Sequence, residues 1–177
     1  EYHPTQILAD VLTMKEHSFK PIPQISFAFL GDAANNMGNS LMTGGALLGM
    51  DVRLVGPKDR WPEEALVTEA KRLADVNGGT VPLTDDPVAG VEGVDYIYTD
   101  VWVSMGEAHE VWEQRIKELT PYQVNTALMQ ATGNPATRFM HCLPAFHGRD
   151  TKVGEEMFQK FGISEMEVTD EVFESPA

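Results

Sequence analysis

The chain has 177 residues, 42% of them apolar, enough for one globular domain with a sizeable core. Lys and Arg number 13 against 27 Asp and Glu, a formal net charge of -14, which disfavours nucleic acid and anionic membrane surfaces, since both require a basic face. A single cysteine excludes an intramolecular disulfide and fits a reducing, cytoplasmic setting, and no apolar run approaches the roughly 18 residues of a membrane span.

In chain order, Ile7, Leu8, Val11 and Leu12 recur at helical spacing after Pro4, a residue suited to a first helical turn. Pro21 and Pro23 close that segment, and Ile25 to Leu30 is a short apolar run of buried-strand type. The Gly31 turn is expected to feed a helix running to about Leu48, with Gly49 as its stop. Asp51 to Val55 reads as a second strand, Pro62 to Val76 as an amphipathic helix and Thr80 to Leu83 as a brief third strand. A short helix over Asp85 to Val91 precedes the fourth strand, Val94 to Thr99. Helices over about Ala108 to Leu119 and Asn125 to Ala131 follow, then a fifth strand, Arg138 to Cys142, and a helix near Gly154 to Phe161. Thr169-Asp170-Glu171 opens one more helix.

Strands alternating with helices predict an α/β fold: a doubly wound parallel sheet of about five strands with helices on both faces. There is no internal repeat, low-complexity tract or linker, so residues 1–177 read as one domain. The chain opens on Glu1-Tyr2-His3-Pro4 without Met and stops soon after a helix start, and both ends read as cuts through a longer protein.

Three polar segments fall at carboxyl ends of predicted strands, the edge at which such sheets bind ligands: Gly31 to Asn36, Asp100 to Gly106 and His141 to Ala145. A dinucleotide site is disfavoured. Gly31 to Gly38 lacks the Gly-x-Gly-x-x-Gly spacing, and Val55-Gly56-Pro57 ends the second strand with no acid for a ribose hydroxyl. Asn35 and Asn36 suit a helix N-cap, with one carboxamide left to meet a ligand carboxylate. Asp100 precedes Val101-Trp102-Val103, so its carboxylate is partly desolvated and needs a partner; a loop cap or a ligand ammonium would each serve. Ser104 and Met105 offer a hydroxyl and a backbone amide to a carboxylate, whereas Trp102 reads as loop packing. Cys142 is a small buried hydrophobe or part of a reacting centre. A Cys-His-Asp trio with His141 or His147 is opposed by strand alternation, which points His141 and Cys142 to opposite faces. No Cys/His spacing suggests a metal. The collected carboxylate, carboxamide, hydroxyl and thiol suit a small zwitterion.

Together, His3-Pro4-Thr5-Gln6, the Asp32-to-Ser40 turn, Asp100-Val101-Trp102-Val103-Ser104-Met105-Gly106 and His141-Cys142-Leu143-Pro144 closely resemble the ornithine carbamoyltransferase family, in order and over essentially the whole chain. The first motif is shared with aspartate carbamoyltransferases. The resemblance implies transfer of a carbamoyl group from carbamoyl phosphate to L-ornithine, giving L-citrulline and phosphate, with no metal or organic cofactor. It implies that His3 and Gln6 hold the carbamoyl group, that Asn36, Asp100, Ser104 and Met105 hold the α-amino acid end of ornithine, and that Cys142 and the Leu143 backbone line the reacting centre. It further implies that residues 1–20 form an interdomain helix, that the phosphate-binding arginines lie in an amino-terminal domain outside this chain, and that the whole enzyme is a homotrimer. On that reading the 177 residues do not turn over alone. Two alternatives remain open: a carbamoyltransferase for another amine such as putrescine, and a non-catalytic amino-acid-binding module.

Overall fold

Strand β1, Ser26–Leu30, is apolar along almost its whole length because both of its faces are covered. Phe27 and Phe29 join one core with Ile7, Val11, Leu41 and Ala70, while Ala28 and Leu30 join a second with Val91, Trp112, Leu128 and Met157. The computed structural model describes residues 1–103 and 109–177. Around β1 lie β2 (Asp51–Val55), β3 (Leu83–Thr84), β4 (Tyr96–Thr99) and β5 (Arg138–His141), all parallel, in the order β3-β2-β1-β4-β5. Helices α1 (Pro4–Glu16), α2 (Asn36–Leu47) and α3 (Glu64–Asn77) supply the first core. The second core is supplied by α4 (Pro87–Val91), α5 (His109–Leu119), α6 (Thr126–Ala131), α7 (Lys152–Phe161) and α8 (Asp170–Phe173). The doubly wound parallel sheet expected from the sequence is therefore observed, and among the described residues no helix is long and apolar enough to cross a membrane.

Local chemistry accounts for the boundaries. Asn35, Asp86, Asn125 and Thr151 each accept a first-turn N–H at the starts of α2, α4, α6 and α7. Gly78 and Gly162 end α3 and α7 in the left-handed conformation. Two expectations shift. The third strand is Leu83–Thr84, not Thr80 to Leu83, because Pro82 has no N–H to give a ladder and Thr80 makes only an isolated bridge to Asp51. Helix α2 begins at Asn36, five residues after Gly31. Asp32 Oδ1 accepts from Ala34 N at 3.2 Å, which holds the intervening segment as a turn. That turn closes tightly on the helix: a Cβ on Gly38 would stand 2.2 Å from the Ala33 carbonyl oxygen, so only glycine fits there.

Strand order reverses between β1 and β4, the arrangement that opens a crevice at the carboxyl edge. One rung of the sheet aligns Val55, Leu30, Thr99 and His141. Gly31, Asp100 and Cys142 are the next residues on three adjacent strands, so all three segments emerge side by side.

Candidate functional site

Asp100 stands at the centre of that edge, half-buried. Its Oδ2 accepts from Asn35 Nδ2 at 3.1 Å and its Oδ1 from the Val101 N–H at 2.7 Å. The same Asn35 side chain caps α2, its Oδ1 accepting from Gly38 N at 2.8 Å. Asn35 thus caps the helix, and both Asn35 and Asn36 line the crevice. The Asn35 and Val101 donors to Asp100 are neutral, as is the Cys142 thiol that also bonds to the carboxylate, and among the described residues no cationic side chain pairs with it.

Cys142 neighbours Asp100. Its thiol is pushed well above the ordinary range, first by burial and then by the Asp100 charge and hydrogen bonding to that carboxylate. It is therefore a thiol, not a thiolate, at neutral pH. The chain of polar groups continues inward. Tyr98 Oη donates to Asp10 Oδ2 at 2.9 Å, and Gln6 Nε2 donates to Asp10 Oδ1 at 2.9 Å. Burial also pushes the Tyr98 phenol upward, keeping it a donor. His3, at the start of α1, is held through its backbone: its N–H donates to Ser40 Oγ at 2.6 Å, and Ser40 Oγ donates to Asn36 O at 2.7 Å. The His-Pro-Thr-Gln motif is thus tied to the first turn of α2.

Burial raises the Asp10 pKa, against the lowering effect of the Gln6 and Tyr98 hydrogen bonds. An acid whose folded pKa lies above its unfolded value holds more protons when folded, so its contribution to stability falls as pH rises through that window. Asp10→Asn can keep both contacts, with its carbonyl accepting from Gln6 and its amide donating to Tyr98 Oη. Its melting temperature should equal or exceed that of the parent at neutral pH, and the advantage should shrink as pH falls toward about 4, the ordinary carboxylate value, where Asp10 of the parent has taken up its proton. A thermal melt across pH checks this; a variant less stable at neutral pH than in acid, relative to the parent, would contradict it.

A cavity of about 280 Å³ opens in front of Asp100 and Asn36, lined also by Asp32, Arg60, Trp102 and Arg115, among others. Its cations are already matched: Arg115 pairs with Asp32, and Arg60 with Glu118 at 2.9 Å. Asp100 is the carboxylate left for a ligand cation. A larger hollow of about 700 Å³ runs along the free edge of β3, but Arg53 there is paired with Asp51 at 2.8 Å and none of the strand-end segments reaches it. The functional reading therefore rests on the smaller cavity. Among the described residues, His147, Asp170 and Glu174 offer ligand atoms within 4.8 Å of one another. His147 Nδ1 is 2.7 Å from Asp170 Oδ1 and its ring stacks on Phe173, so this cluster is satisfied internally.

Residues 23–177 match the family model described as aspartate/ornithine carbamoyltransferase, Asp/Orn binding domain. The chain belongs to that family. It is 60% identical to a catabolic ornithine carbamoyltransferase of Pseudomonas putida over 100% of the chain and 53% of the relative, and 59% identical to one from Chromobacterium violaceum over the same shares. The chain thus spans about half the length of the curated relatives it matches. Among solved structures it superposes on ornithine carbamoyltransferase from Pyrococcus furiosus with a TM-score of 0.83 at 39% identity, covering 99% of this chain and 49% of that one. For the Giardia lamblia ornithine transcarbamoylase the TM-score is 0.80 at 33% identity, covering 99% and 52%.

Within this carbamoyltransferase domain, the fold brings Asn36 and Asp100 to the wall of one cavity, while Cys142 neighbours Asp100 without lining that cavity and packs against the first core; Gln6 bonds to Asp10, which accepts from Tyr98. Ser104 and Met105 lie outside the described residues. Leu143 follows Cys142 with φ 56, and its N–H donates to His141 Nδ1 at 2.8 Å, so that N–H is taken up within the chain. His141 turns from Cys142 toward Glu167, and His147 toward Asp170, so neither partners the thiol. Trp102 is packed in the core, as expected. Sequence reading missed Asp10, Tyr98, Arg60, Arg115 and Glu167. Asp10 left one signal, an acid on the same helical stripe as Ile7, Val11 and Met14.

Proposed function

We propose that this chain is the ornithine-binding half of an ornithine carbamoyltransferase, which converts carbamoyl phosphate and L-ornithine to L-citrulline and phosphate. The observation that carries the reading is Asp100, a half-buried carboxylate at the strand-order switch whose described donors are all neutral. A ligand α-ammonium would complete its partners. The α-carboxylate of ornithine belongs at Asn36, where the free N–H groups and dipole of α2 favour an anion, with Ser104 and Met105 completing that end. Extended from there, the side chain carries its δ-amine to Cys142 and the Leu143 carbonyl.

The chemistry follows from that placement. The neutral δ-amine attacks the carbamoyl carbon, negative charge gathers on the carbonyl oxygen, and phosphate leaves as the amine loses its proton. His3 and Gln6 hold the carbamoyl group and supply donors near the developing charge. A protonated Cys142 suits this route, since the amine is itself the nucleophile and no thioester is needed. Arg60 and Arg115 are committed to carboxylates, so phosphate recognition falls to the half of the enzyme that this chain does not span. Residues 1–20, with α1 (Pro4–Glu16) at their centre, then join the two halves, and the whole enzyme assembles as a homotrimer.

A polypeptide completing this chain to the length of its relatives provides the test. It should form citrulline from ornithine and carbamoyl phosphate and use putrescine poorly, because putrescine can offer its second ammonium to Asp100 but has no carboxylate for Asn36. The 177 residues alone should fold and show no turnover. Because the relatives compared are named catabolic, phosphorolysis of citrulline should be assayed alongside synthesis. Putrescine used as well as ornithine would sink the substrate assignment, and turnover by the 177-residue chain would sink the division of labour.

A further inference from the structure

Glu167 is a fully buried carboxylate outside the crevice. Its Oε1 accepts from the Phe146 N–H at 2.6 Å and faces His141 Nε2 at 3.2 Å. The His141 side chain is 2% exposed, and its Nδ1 accepts from the Leu143 N–H at 2.8 Å. A ring nitrogen that accepts carries no proton, so the proton sits on Nε2 and is donated to Glu167. The two side chains therefore hold the amides at both ends of the Leu143-to-Phe146 turn. Glu167 is itself anchored, its carbonyl accepting from Val124 N at 2.9 Å.

The turn needs such a brace. Leu143 occupies the left-handed region, which is costly for a leucine, and its side chain is 61% exposed, so packing does not hold it there. Glu167 leaves its second oxygen, Oε2, without a partner among the described residues, an expensive state for a buried carboxylate. An apolar residue would cost less if filling the core were its only task.

We propose that Glu167, acting through His141, is a positioning residue that fixes the Leu143 backbone, and with it the aim of the Leu143 carbonyl and the Cys142 thiol at the reacting centre. The inference rests on the carbamoyltransferase reading above, and its test separates the two.

In the completed enzyme, Glu167→Ala should lower kcat about 10²-fold, the scale for a misplaced reacting group, while carbamoyl phosphate binding stays near the parent. Glu167→Gln can keep both hydrogen bonds through its carbonyl and should recover most of the loss. His141→Asn keeps an acceptor for the Leu143 N–H but cannot reach Glu167. It should resemble Glu167→Ala, and the double variant should be no worse than either single one. Independently of turnover, amide exchange in the 177-residue chain should speed up at Leu143 and Phe146 in Glu167→Ala and not in Glu167→Gln. A folded Glu167→Ala within about threefold of the parental kcat, or with unchanged Leu143 and Phe146 exchange, would overturn the proposal; so would a Gln variant as impaired as Ala. Should Glu167→Ala not fold, His141→Asn at parental kcat overturns it instead. If the completed parent makes no citrulline, the functional reading fails, and the exchange measurement still decides whether Glu167 braces the turn.

Discussion

Asp100→Asn in the completed enzyme should cost about 2–5 kcal/mol in ornithine transition-state binding, the range for removing one partner of a buried charge pair. The fold should survive. The new carboxamide can still accept from the Val101 N–H, and Asn35 keeps its cap on Gly38 N, so the changes are confined to the bond from the Asn35 amide to Oδ2 and the contact with the Cys142 thiol. Carbamoyl phosphate affinity should change far less, because its recognition lies with other residues. Steady-state kinetics with ornithine, together with a thermal melt, separate these effects. Unaltered ornithine kinetics in a folded Asp100→Asn enzyme would return Asp100 to a loop cap and remove the anchor of the proposed site.

Cys142→Ala should weaken ornithine binding and slow turnover without abolishing it, since the thiol orients the amine and does not form a bond to carbon. If Cys142 were only packing, the same change would cost a little stability and leave both constants alone. The thiol offers a second measurement. Burial and the Asp100 charge both disfavour the thiolate, and alkylation proceeds through the thiolate. Alkylation of Cys142 should therefore be slow and keep climbing through about pH 9 without a plateau. Removing the charge with Asp100→Asn should accelerate it, and bound ornithine should slow it by covering the sulfur. Cys142 reacting like an exposed thiol, unaffected by either change, would take the thiol out of the site.

How far the sequence alone reached can be seen residue by residue. Alternating strand and helix periods specified the doubly wound sheet, because covering both faces of parallel strands leaves apolar runs such as Phe27 to Leu30 between amphipathic helices. Period-two alternation placed His141 and Cys142 on opposite faces, and the structure puts one beside Glu167 and the other beside Asp100. Asn35 declared itself as a cap because capping is local chemistry, complete within four residues.

What tertiary structure alone decided lies between residues far apart in the chain. Tyr98 meets Asp10 across 88 positions, and Arg115 reaches Asp32 across 83. No local propensity encodes such pairs, because they form only once β4 inserts beside β1 and the helices settle on their faces. The limits of β3 were set in the same way, by which backbone groups of Thr80 to Thr84 meet β2. Leu143 is the sharpest instance: nothing in its side chain favours a left-handed backbone, and the chain holds it there because His141 and Glu167, 26 positions apart, converge on that turn.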